Sequence, residues 1–291
     1  MMDEISAFIT ELKLEGRLSE NTVRSYELDL SKLSEYALEN GIVKGIDLSA
    51  DFLKKYLEKI EADDLSPSTI ARNIVSIKAF SRYLLKKEIH PFDISEDLKA
   101  PKTSQSPVVI LTRTQIKALL DAPDKSYAKG QRDEAILHLL YATGIKVSEL
   151  IKLKVEDVDM QIGSIEISAP KMDRVVPFNK ETREVLSRYL QEGRRHLITT
   201  TSEELLFVNY KGMPMSRQGI WKIIREYSRA AGIDQSVTPE MIRHSFAAHM
   251  IERGADMDAV QFMMGHVSSA AMTRYARDNK DYIRDVYNST H

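Results

Sequence analysis

The run Lys99 to Pro107, KAPKTSQSP, interrupts a chain of 291 residues that is otherwise patterned for helices. Two prolines and polar neighbours give it the character of a linker. It divides the chain into an N-terminal unit at residues 1–100, a linker at 101–108 and a C-terminal unit at 109–291. That length suits two domains better than one, and a hydrophobic content of 43% allows an ordinary core in each.

In the first unit, apolar residues recur at helical spacing behind hydroxyl caps. A short amphipathic helix is expected at about residues 3–14. Ser19 caps a longer one carrying Val23, Tyr26, Leu30, Leu33, Tyr36 and Ala37, which Gly41 ends. A third helix, capped near Ser49, runs to about Ala62. Ser66-Pro67 opens a fourth that reaches about Lys87, because a hydroxyl cap and a proline in the first turn both favour a start.

The second unit opens with a capping box, Thr112 with Gln115, and a helix over about 113–121. Gln131 to Thr143, rich in Ala, Ile and Leu, is expected at the centre of the core. Gly163 to Ser168 and Arg174 to Phe178 alternate as two strands of a hairpin around Ala169 to Asp173. Helices follow from Asn179 to about Gly193 and from Ser216 to Ala231, and Thr238-Pro239 opens another. Trp221 reads as a packing residue.

The absence of cysteine excludes disulfides and thiolate metal sites and points to a reducing compartment. No apolar run reaches 18 residues, and the N-terminus is acidic and amphipathic, so a cytoplasmic protein with no membrane partner is expected. The formal net charge is −2, yet Leu65 to Lys87 contains Arg72, Lys78, Arg82, Lys86 and Lys87 and no acid. Such a run fits a nucleic-acid contact or a solvated helix face.

The chemistry concentrates between Thr238 and Tyr275, where Arg243, Gly265-His266 and Tyr275 follow in order. A phosphodiester gains charge on attack, so catalysis without a metal needs fixed cationic donors around its oxygens. Arg243 supplies a fork of donors, and Tyr275 is the candidate nucleophile for a covalent phosphoester. Its phenol, with a pKa of about 10, needs cations and a hydrogen-bonding His266 to lose its proton. Taken singly these residues fit blander roles: a surface arginine, a core tyrosine, a Gly-His helix cap. His244 and His249 read as packing or supporting residues.

Together, PxxxRHSFAxHM, GADxxxVQxxMGH and TRY resemble the C-terminal signature of the tyrosine recombinases, of the Xer-like and phage-integrase branches. Ala142 to Leu150, ATGIKVSEL, resembles the family's first active-site box, and Ser19, Thr22, Tyr26, Ser66, Ser68, Thr69 and Arg72 resemble the patterns that open two long helices of its N-terminal domain. The resemblance implies a mainly α fold with a small β-sheet: a four-helix, SAM-like core-binding domain, then an α/β catalytic domain closing around double-stranded DNA. It implies strand exchange through a 3′-phosphotyrosyl link on Tyr275, with Arg243, Lys146 and His266 stabilising the transition state. Lys171, in the hairpin turn, would protonate the leaving 5′ hydroxyl, and Glu149 would stand behind the site. It further implies phosphate contacts from Arg72 and Lys78, and a tetramer or a hetero-oligomer with a related recombinase, coupled through a tail at Lys280 to His291 that by its residues alone fits equally a helix packed on its own domain; Arg82, and Arg217 with Lys222, Arg225 and Arg229, are DNA-binding candidates by their charge. No cofactor and no metal are called for.

Two positions depart from the pattern. Lys146 stands where the family has arginine, keeping the charge without the planar bidentate fork. Glu240 stands where it has histidine, placing a carboxylate near the scissile phosphate. A compensating Lys146–Glu240 ion pair is one expectation. The alternative to an active enzyme is a recombinase-fold protein with weak or no catalysis, acting as an architectural or regulatory DNA-binding factor.

Overall fold

The computed structural model describes residues 1–63, 65–101, 109–169, 172–198 and 204–265. The chain falls into two compact units, Met1–Ser106 and Pro107–His291.

The first unit is four helices, α1 (Met2–Glu15), α2 (Glu20–Glu39), α3 (Ala50–Ala62) and α4 (Pro67–Lys86). The caps fall where the hydroxyls predict. Ser19, Ser49 and Ser66 accept from the backbone N–H groups of Thr22, Phe52 and Thr69. Each cap satisfies a donor that a helix start otherwise leaves unpaired, and so fixes where the helix begins. The apolar stripes meet in one core that includes Leu30, Leu33, Leu53, Phe80 and Leu84. The exit from α4 is pinned by buried His90, whose ring nitrogens lie 2.8 Å from the Phe92 carbonyl oxygen and 3.2 Å from that of Leu48.

The second unit is built around α6 (Ala128–Thr143), preceded by α5 (Arg113–Asp121) and its complete Thr112–Gln115 capping box. Thirteen of the sixteen residues of α6 are buried, so it is the helix on which the others pack. That count includes charges the apolar pattern does not explain. Arg132 binds the carboxylate of Asp133 and the Val208 carbonyl, Tyr227 donates to Asp133 at 3.0 Å, and Glu134 pairs with Lys125 at 2.9 Å and with Arg188. Buried charges persist where each has partners of this kind.

After α6 come the single turn α7 (Val147–Leu150) and a sheet of three strands, β1 (Val158–Asp159), β2 (Ser164–Ile167) and β3 (Arg174–Pro177). All neighbours are antiparallel in the order β1-β2-β3, with Ile165 opposite Val176 and Val158 opposite Ile165. The hairpin matches the alternation in the sequence. Strand β1 has two residues and therefore no period to read. Four helices complete the unit: α8 (Lys180–Arg188), continued by a π turn at Tyr189–Gly193, then α9 (Arg217–Ala230), α10 (Pro239–Glu252) and α11 (Met257–Met263). Among the described residues no helix is long and apolar enough to cross a membrane.

Candidate active site

Thr238 caps α10 by accepting from the Met241 N–H, and Pro239 occupies its first position, so the helix start is set locally. One turn later Arg243 lies inside the unit, 7% exposed. Its guanidinium donates from Nη1 to the carbonyl of Gly144 and from Nη2 to that of Met264. The arginine therefore joins the end of α6 to the end of α11, two residues before position 266. Burial pulls its pKa down to about 10, against the opposing pull of Glu149, so it stays charged at neutral pH.

The turn that Arg243 grips is shaped by Gly144. Its φ of 58° is left-handed, and an added Cβ would lie 2.4 Å from the buried Phe246 ring. The backbone then turns into α7, where the Lys146 N–H donates to the Glu149 carboxylate at 2.8 Å. The Lys146 residue is exposed, directly beside the Gly144 carbonyl that Arg243 holds.

Arg174, at the start of β3, was not singled out by its sequence. Its side chain is 1% exposed and donates to Glu149 at 2.8 Å, while its Nε–H donates to the Met263 carbonyl at 2.9 Å. Burial alone would raise the Glu149 pKa, but the hydrogen bonds from Arg174 and the Lys146 backbone hold it below the usual carboxylate range. Gly265, with a φ of 66°, closes the group: a Cβ there would lie 2.9 Å from the Arg174 guanidinium carbon. Two buried arginines thus fasten the α6–α7 turn, the hairpin and the end of α11 around one carboxylate. A signal existed for Arg174, since a carboxylate expected behind the site, Glu149, needs a cationic partner once buried.

Glu240 is exposed in the first turn of α10, where a negative charge favours the helix start. It acts on Arg243 through space, raising its pKa. The expected Lys146–Glu240 ion pair is not among those formed within 4.0 Å by the described residues; Glu240 faces the Arg243 charge and Lys146 belongs to the Glu149 turn. His249 packs as expected, its Nδ1 2.9 Å from the Tyr141 hydroxyl. Lys171, His266, Tyr275 and the Lys280 to His291 tail lie outside the described residues.

The basic run of α4 changes character on folding. Arg72 donates to the buried carboxylate of Asp29 at 2.8 Å, Arg82 lies 3.9 Å from Asp93, and Glu11 pairs with Lys86 and Lys87, each at 2.8 Å. Acids from α1, α2 and the segment after α4 therefore face a run that holds none in sequence. Lys78 is half-buried. On α9 the reverse holds: Arg217, Trp221, Lys222 and Arg225 are exposed together. Trp221 is 43% exposed, so the packing role expected of it is wrong; the helix buries Ile220, Ile223, Ile224 and Tyr227 on the face opposite.

Residues 110–281 match the model of the phage integrase family, and residues 5–88 match the phage integrase N-terminal SAM-like domain. The tyrosine recombinase XerD of Staphylococcus haemolyticus is 34% identical over 288 residues, covering 99% of this chain and 98% of that protein. The chain belongs to the phage integrase family. It is a Xer-like tyrosine recombinase, and its activity is site-specific DNA recombination. The XerD of Halalkalibacterium halodurans is 32% identical over 291 residues, 99% of this chain and 97% of that one. The fold is that of a tyrosine recombinase, mostly helical with a small sheet. A Tn1549 transposon integrase in complex with circular intermediate DNA superposes with a TM-score of 0.73 at 22% identity, over 97% of this chain and 98% of that one. The XerA recombinase is similar over 99% of this chain and 98% of its own, at 26% identity and a TM-score of 0.51.

Proposed function

We propose that this recombinase breaks and rejoins strands of double-stranded DNA through Tyr275. The phenol passes its proton to His266 as its oxygen attacks the scissile phosphorus, and the 5′ oxygen leaves with a proton from Lys171. A 3′-phosphotyrosyl link then holds the energy of the broken bond. The 5′ hydroxyl of another strand, giving its proton to Lys171, attacks that link and expels the phenolate, which His266 reprotonates to restore the tyrosine. Arg243, Lys146 and His266 stabilise the charge that develops on the phosphate oxygens. Glu149 and Arg174 position the segments that carry them.

The observation that carries this reading is the seat of Arg243. Its guanidinium is held between the turn bearing Lys146 and the segment that leads into His266. It is charged and shielded from water, where a cation acts most strongly on a phosphate. The α9 face, with Trp221 among Arg217, Lys222 and Arg225, suits a nucleic-acid surface, and among the described residues Lys78 of α4 has no carboxylate within 4.0 Å. Both the Tn1549 integrase and a XerH recombinase of the same fold are bound to DNA in their structures. We place the protein in the cytoplasm, working as a tetramer or with a related recombinase, residues 101–108 linking the two domains.

Covalent trapping on a nicked suicide duplex tests the chemistry. The wild-type chain should form a protein–DNA adduct that Tyr275→Phe abolishes. Site-specific binding by the wild-type chain with no adduct would overturn the proposed nucleophile.

A further inference from the structure

The entry to α9 and its far end are both tied to one place on α6. Arg132 and Asp133 are 4% and 0% exposed, and the Nε and Nη2 groups of Arg132 donate to one carboxylate oxygen of Asp133. The other oxygen, Oδ2, accepts from the Tyr227 hydroxyl at 3.0 Å, near the end of α9. The remaining arm of Arg132, Nη1, donates to the Val208 carbonyl at 3.0 Å. Val208 pairs with Pro214 across the turn that leads into α9, so one charged pair holds the helix at both ends.

Apolar packing does not account for this arrangement. Helix α9 already buries Ile220, Ile223 and Ile224, and such burial is non-directional: it favours contact without choosing a rotation or a depth. A buried ion pair adds little to stability, since apolar residues of the same volume commonly serve as well. A rigid phenol bonded to a fixed carboxylate adds geometry instead, because the bond holds only over a narrow range of distance and angle. A second link between the two helices, Lys129 to Glu226 at 3.1 Å, is exposed at both ends and screened by solvent, so it holds little.

The geometry fixed in this way belongs to the outer face. At about 3.6 residues per turn Tyr227 projects opposite Gln218, and Arg217, Gln218, Trp221, Lys222 and Arg225 are all exposed on that far side. A hydrogen bond is lost beyond about 3.5 Å, so side chains that meet base edges depend on the rotation of the helix that carries them. Attraction of the same cations to phosphates is long-ranged and does not.

We propose that Asp133 is a positioning residue for DNA recognition: through Tyr227 and Arg132 it sets the rotation and depth of α9, and with them which base edges the exposed side chains reach. This role rests on the reading of the α9 face as a DNA surface.

The test is Tyr227→Phe in the full-length protein, which removes one oxygen, keeps the ring and leaves Asp133 its arginine. The wild-type chain first selects its preferred duplex from a pool with a randomised core. Affinities for that duplex and for a scrambled one are then measured over a range of potassium chloride, below the thermal midpoints of both proteins. Their ratio should fall at least about fivefold in Tyr227→Phe, the scale of one misread base pair, while scrambled-duplex affinity and its salt slope stay unchanged. The emission of Trp221, the single tryptophan of the chain, should shift on binding the selected duplex, and shift less in the variant. Arg217→Ala is the control for the α9 surface and should weaken binding to both duplexes and lower the salt slope. An unchanged ratio in Tyr227→Phe, or an equal loss on both duplexes, would overturn the positioning role, and a responsive Arg217→Ala would leave the DNA surface standing. Wild-type binding by Arg217→Ala would remove that surface and the positioning role with it.

Discussion

Glu149 and Arg174 meet at 2.8 Å, with side-chain exposures of 12% and 1%, on elements that the sequence sets 25 residues apart. Because the same guanidinium also holds the Met263 carbonyl, the pair is where three segments of the site are locked together. Arg174→Met leaves Glu149 buried with its main partner gone and should cost about 3–5 kcal/mol. Urea unfolding should show that loss, and Arg174→Met combined with Glu149→Leu should recover a large part of it. A double variant no better than the single one would mean that the arginine acts by packing alone.

Acid should weaken the second unit in two stages. Burial lowers the pKa values of His138 and His249, and hydrogen bonding lowers that of Glu149. In each case the folded state binds its proton less readily than the unfolded chain. The associated stability is present above the unfolded pKa and is lost as pH falls through the folded one. The histidines begin to act near pH 6.5 and Glu149 near 4.5, the ordinary values for these groups. Thermal midpoints measured from pH 8 to 4 should therefore fall in that order, the lower stage opposed by Asp133, whose carboxyl is held above the usual range by burial; no fall between pH 7 and 6 would contradict the burial of both rings.

Gly144→Ala should be more damaging than an ordinary surface glycine replacement. A left-handed φ of 58° costs an L-residue about 1–2 kcal/mol, and the new Cβ also meets the Phe246 ring. A total loss above about 2 kcal/mol is expected. Adding Phe246→Leu should return the steric part and leave the backbone part, which calorimetry of the two variants would separate.

Arg72 and Lys78 should separate stability from DNA binding. Arg72→Ala strips the buried Asp29 of its cation and should lower the stability of the first unit by at least about 1 kcal/mol. Lys78→Ala should leave the melting temperature unchanged and reduce the salt dependence of DNA binding by about one phosphate contact. If Arg72→Ala altered only the salt dependence, the Asp29 pair would not be the main work of that arginine.

Glu240→Gln should increase the rate of adduct formation. It removes a negative charge near Arg243, the cation proposed to hold the scissile phosphate, while costing the start of α10 about 0.3–1 kcal/mol. A gain of roughly tenfold corresponds to about 1.4 kcal/mol of transition-state energy. Lys146→Arg should act in the same direction by restoring a bidentate fork. Single-turnover rates on a suicide duplex would read both, and slower cleavage in Glu240→Gln would show that the carboxylate is needed.

Where the sequence speaks clearly, its signals are local. Ser19, Ser49, Ser66, Thr112 and Thr238 mark helix starts because a cap is a contact between residues three apart. The β2–β3 hairpin is visible for the same reason, whereas β1, with two residues, carries no period. The order of Arg243, His266 and Tyr275, with ATGIKVSEL before them, was enough to place the chain in its family.

Tertiary structure decided what each charge does, because Coulomb and hydrogen-bond partners come from distant segments. Only folding sets Asp29 against Arg72 and Glu11 against Lys86 and Lys87, so the acid-free run is partly neutralised. Only folding turns Trp221 outward among three cations, and seats Arg243 between carbonyls 99 and 21 residues away. A sequence determines its own helices and the residue types of its chemistry through short-range sterics and capping. The partners of a buried charge are fixed by the packing of whole elements, which no local pattern encodes.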